Sequence, residues 1–108
     1  MLRDYPVRAL SYDPGSDEAK LEVGAPVGAL RAVEALLLLD AEGFLVGVDL
    51  QGDELERAVV LVGPYERVDR TVPARVSVAF GADSEPAEVR VTGAKKAIRA
   101  ADANPYRD

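Results

Sequence analysis

Fifteen residues near the middle of the chain, LLLLDAEGFLVGVDL from Leu36 to Leu50, restrict the fold more than any others. Four consecutive leucines must be buried, and the Asp-Ala-Glu-Gly break that follows must either stop a helix or turn a hairpin. As a helix over about 28–41, the segment has good propensity and Gly43 as a C-terminal stop. In that helix, however, Leu38 lands on the polar side with Arg31 and Glu42. As strands, residues 34–40 form an apolar run of the length expected for a strand covered on both faces. Asp40 then suits the first position of a type I turn and Gly43 the left-handed residue after it. Phe44, Val46, Val48 and Leu50 alternate with Leu45, Gly47 and Asp49 on the return strand. The hairpin is the preferred reading and the helix its alternative; in both, 44–50 is a strand.

The rest of the chain repeats the two-residue period. Ala19, Leu21 and Val23 oppose Glu18, Lys20 and Glu22. Val76, Val78 and Phe80 oppose Arg75 and Ser77, and Val89 and Val91 oppose Glu88 and Arg90. AVVLVG (58–63) reads as a further central strand and GPYER after it as a turn. The C-terminal segment 94–104 reads as a short helix with Ala94, Ala97, Ile98 and Ala101 as its apolar stripe, stopped by Asn104 and Pro105. Displaced by 68 residues, 10–23 aligns with 78–91: Tyr12 falls on Phe80, Leu21 on Val89 and Val23 on Val91. Each copy is a strand, a polar turn and an alternating return strand. The expectation is one domain over residues 1–108, mainly β, an antiparallel sandwich or barrel of about six to seven strands with a short C-terminal helix. The alternative is an α+β fold with the 28–41 helix.

Composition narrows the chemistry. The chain has 108 residues, no cysteine and no histidine. A chain of this size buries roughly 65% of its unfolded surface and needs no disulfide or metal to fold. Without histidine or cysteine, the usual zinc, copper and haem ligands, nucleophilic triads and histidine bases are missing. The formal net charge of -6 opposes a nucleic-acid phosphate backbone. No apolar run approaches a membrane span of about 20 residues. Asp4 and Pro6 stand where a secretory leader needs its apolar core, so a cytoplasmic location is expected.

The stretch SYDPGSDEAKLEV followed by VEALLLLDAEGFLVGVDL resembles a family of small uncharacterised bacterial β domains. That family opens with a Tyr-Asp-Pro turn and carries an Asp-x-x-Gly hairpin ending in Leu-Val-Gly. Tyr12, Asp13, Pro14, Asp17, Asp40, Gly43, Leu45, Val46, Gly47 and Asp49 carry the resemblance, over about residues 10–52. It implies a β domain and no established activity. A fainter resemblance of residues 40–78 to PRC-type β-barrels implies a small β domain of the kind used to bind protein or RNA partners.

No catalytic residues, metal ligands or cofactor are expected. Asp49, Asp53, Glu54 and Glu56 lack the ligand spacing of a known calcium loop and read as a solvated strand end. Asp13, Asp17 and Glu18 read the same way. Lys95, Lys96 and Arg99 read as a solvated helix face. Gly24 and Gly28 lack the strand-to-helix setting of a phosphate loop. Partner contacts are assigned to Leu38 and Val60, on apolar strands 34–39 and 58–63 taken as free pairing edges, and to Tyr65, an aromatic on a loop. The functional expectation is a non-enzymatic protein-interaction or assembly module that forms a homodimer, with no nucleic acid or membrane partner. The alternative is a small-molecule or divalent-metal-binding domain using loop carboxylates.

Overall fold

A computed structural model describes residues 3–51 and 58–98. The chain is mainly β. Among the described residues there are eight strands: β1 (Arg3–Pro6), β2 (Ala9–Asp13), β3 (Glu18–Glu22), β4 (Arg31–Leu39), β5 (Leu45–Leu50), β6 (Ala58–Leu61), β7 (Arg70–Phe80) and β8 (Pro86–Thr92). They form one sheet in the order β1-β6-β5-β4-β7-β8-β3-β2. All neighbours are antiparallel except β1 and β6, which run parallel.

The two outermost strands are consecutive in the chain, separated only by Val7 and Arg8. The Val7 N–H donates to the Leu61 carbonyl at the end of β6 and the Arg8 N–H donates to the Glu22 carbonyl on β3, at 2.8 and 2.7 Å. Residues 3–13 are therefore one bent strand that leaves one edge of the sheet and joins the other. The eight-stranded sheet curls into a half-barrel, 32 × 32 × 20 Å, with this bent strand reaching from one of its edges to the other.

The Leu36–Leu50 segment is a hairpin. Asp40 and Gly43 close the turn, with Gly43 N–H on the Asp40 carbonyl at 3.0 Å and Gly43 at φ 89°. Asp40 Oδ1 also accepts the N–H groups of Glu42 and Phe44, each at 2.9 Å. The expected alternation along β5 is broken by one residue. Leu39 pairs with Leu45 and Leu38 with Gly47, so Val46 is an extra residue in a β-bulge. Val46 consequently turns outward, away from Val48, and joins Leu38 and Val59 in a second apolar cluster with Leu61 and Val68 packed against it.

The main core is the interior of this half-barrel. Leu10, Leu21, Val33, Val48, Leu50, Val60, Val76, Val78, Val89 and Val91 fill it, and Tyr12, Leu37 and Phe80 close it at the ends of their strands. Charged residues alternate outward, as Glu34 with Arg75 at 2.6 Å and Glu18 and Glu88 about Arg90. The two hairpins matched by the 68-residue offset lie side by side, β3 against β8. Leu21 pairs with Val89, its counterpart in the alignment, so a local two-fold relation runs between them.

The C-terminal helix is not found in the described part of its range. Lys95–Ala97 form a single 3-10 turn and Ile98 is extended at φ -103°, ψ 120°. The Ala97 N–H donates to the Ala94 carbonyl, three residues back, and the preceding N–H groups of Gly93, Ala94 and Lys95 are taken by Asp17 of the β2–β3 turn. The stripe itself is placed as expected: Ala94 is buried and Ala97 and Ile98 pack on the core. Residues 99–104 lie outside the described residues. Among the described residues, no helix is long and apolar enough to cross a membrane.

Candidate functional site

Strand direction gathers the polar residues. Strands β2, β4, β6 and β8 run toward one rim of the half-barrel, so the connections 14–17, 40–44 and 62–69 and the segment after β8 all collect there. They are tied in two pairs.

The first pair joins the β2–β3 turn to the chain after β8. Asp17, at φ 54°, accepts the Gly93 and Ala94 N–H groups on its carbonyl at 2.8 and 3.4 Å and the Lys95 N–H on Oδ1 at 2.9 Å. The Tyr12 hydroxyl donates to the same Oδ1. That hydrogen bond to a carboxylate, with partial desolvation and the nearby charges of Asp17 and Asp13, pushes the Tyr12 phenol up to about 12. Tyr12 is thereby held neutral and is a weaker acid than a free phenol.

The second pair joins the β4–β5 hairpin to the β6–β7 connection. The guanidinium of Arg67 lies 3.5 Å from Asp40 Oδ2, and the Asp69 N–H donates to the Leu39 carbonyl at 2.7 Å. Tyr65 sits on the 3-10 turn Tyr65–Arg67 of this connection and is 54% exposed.

The three residues assigned to partner contact separate in the structure. Only Tyr65 is at the surface. Leu38 and Val60 are 2% and 0% exposed. Leu38 belongs to the outer cluster and Val60 to the interior. Their strands are not edges either: β4 lies between β5 and β7, and β6 between β5 and β1. An uncharged run of valines and leucines marks strands at the centre of a sheet, where both sides are covered, and here that coverage comes from within the chain.

The carboxylates do not converge. Among the described residues, no group of three or more acidic side chains could hold a metal ion. Asp49 is buried at the end of β5; Asp53, Glu54, Glu56 and Arg99 lie outside the described residues. Lys95 is exposed and uses its backbone N–H at the rim. Gly24 and Gly28 lie in open space on the opposite rim. Both Asp17 and Asp40 were legible only as turn formers, since nothing in the spacing marks their partners at Lys95 and Arg67.

The fold defines a small curled β-sheet, a half-barrel antiparallel in all but its β1–β6 pair, whose concave face is filled by its own side chains. Comparison with protein-family models, with curated proteins and with solved structures finds no match.

Proposed function

We propose that the chain is a non-enzymatic protein-interaction module that acts in the cytoplasm and associates with itself or with a protein partner. The observation supporting this reading is the placement of its large exposed apolar side chains. Three of the four, Val27 at 71%, Leu30 at 40% and Tyr65 at 54% exposure, lie on connections between strands, and the fourth, Val72 at 38%, lies on β7. Binding residues are typically carried this way, on loops positioned by a scaffold. Tyr65 is the favoured contact, because a tyrosine supplies a large amphipathic surface with little side-chain entropy to lose. The resemblance to PRC-type barrels over 40–78 supports the same class, and Tyr65 falls within it.

Sedimentation at micromolar concentration tests self-association. A dimer that Tyr65→Ser weakens while the fold is kept supports the reading; a monomer at every concentration removes it for self-association. Melting with divalent cations and a metabolite panel tests the alternative, since a ligand that binds only the folded state raises the melting temperature. A strong selective rise would replace the proposal with a ligand-binding function.

A further inference from the structure

The segment after β8 lies at the rim of the β2–β3 turn and packs on the interior cluster. The last inward residues at that rim include Tyr12, Ala19, Leu39, Leu45 and Val91, all part of the interior cluster or packed against it. Ala94, Ala97 and Ile98 lie on the same cluster, Ala94 at 2% exposure. What fixes this segment is concentrated at its start. Its first three N–H groups, from Gly93, Ala94 and Lys95, all end on Asp17. Just before the covering residues, Gly93 stands at φ 66°, with no heavy atom within 4 Å of the position a Cβ would take.

We infer that residues 93–98 form a lid over the interior at this rim, hinged at Gly93 and latched by Asp17 of the β2–β3 turn. The sheet does not depend on the lid: β8 is already paired with β3 and β7 through residues 86–92. One turn residue, through its carbonyl and its Oδ1, therefore holds the start of a segment that can leave without breaking a strand pair. Release uncovers the apolar interior at this rim. Local opening of this kind draws on the least stable part of a structure, where few contacts hold many backbone hydrogen bonds. This inference concerns access to the interior and stands apart from the Tyr65 surface.

Amide hydrogen exchange on the full chain reads the lid directly. In the wild type, the amides of Gly93, Ala94, Lys95 and Ala97 are expected to exchange through an opening separate from global unfolding. Asp17→Gly removes the carboxylate but accepts a positive φ without strain, so the turn is kept. It is expected to speed exchange at Lys95 and Ala97 by roughly tenfold, the loss of a hydrogen bond to a charged group, with β4 and β5 unchanged. An apolar fluorescent dye should then bind Asp17→Gly and not the wild type. Asp17→Asn keeps an oxygen acceptor at the same place and should restore protection. Gly93→Ala, strained at a hinge whose own N–H is one of the latch bonds, should also open the lid with the Asp17 carboxylate intact. The inference is overturned if the four amides exchange only with the whole sheet, or if Asp17→Gly lowers protection evenly across the strands.

Discussion

Gly47 and Gly43 show two different reasons for a glycine within eight residues. At Gly47 the constraint is distance: a Cβ there would stand 2.6 Å from the Val60 carbonyl oxygen, on the backbone of β6. Backbone cannot yield as a side chain can, so Gly47→Ala is expected to cost roughly 1–3 kcal/mol in chemical denaturation, the range of an overpacked core. At Gly43 the constraint is the φ of 89°, with space around it. Gly43→Val is expected to lose about 1–3 kcal/mol from strain alone. The φ at Gly43 was legible from Asp40 three residues earlier, which is local turn chemistry. The crowding at Gly47 was not, because it depends on which strand lies alongside. Tyr12 offers a pH measurement. Its folded pKa, about 12, lies above the ordinary 10.0, so the neutral phenol is the form the fold favours. Its contribution is complete below pH 10.0 and fades as pH rises to about 12. Phenolate absorbance should show one late-titrating tyrosine, absent in Tyr12→Phe; a titration unchanged by that substitution would count against the hydrogen bond to Asp17.

At the level of strands, alternation located β3, β7 and β8, because one wet face writes polar residues at every second position, whereas β5 is buried along its whole length and was legible from the turn before it. It missed β1. Arg-Asp-Tyr-Pro has neither apolar alternation nor β-branched residues, and it is a strand only because β6 pairs with it. For the same reason the free edges were misplaced. Among the described residues, besides the outermost β1 and β2, an open edge runs along the first half of β7: β4 pairs with it throughout from Arg70 to Val78, whereas β8 pairs only with 77–80. Pro73 sits in that half, opposite Leu36. The pairing with β4 passes through it unbroken, so the position without an N–H faces the open side. Proline on an edge denies an incoming strand a donor. Pro73→Val is expected to raise self-association, read as an increase in light scattering at equal concentration. Equal scattering would show that the edge is protected by other means.

For the whole molecule, burial of β4 and β6 reverses what charge at their centres should do. A free edge bearing Leu38 or Val60 would let Leu38→Glu or Val60→Lys yield a folded monomer. With both side chains enclosed, each substitution is expected to remove roughly 3 kcal/mol or more and to unfold much of the population, seen as loss of the far-ultraviolet strand signal. The bent strand has a further consequence during synthesis on the ribosome. Residues 3–13 emerge before most of the strands they join, and β2 finds β3 at once. The β1 half has to wait for residues 58–61, and the β3 edge for residues 88–92. Translation proceeds at about 5–20 residues per second, so the nascent chain carries exposed pairing edges for several seconds before the sheet is complete. Slowing elongation after residue 61 would prolong that interval, and the yield of soluble protein should fall with it.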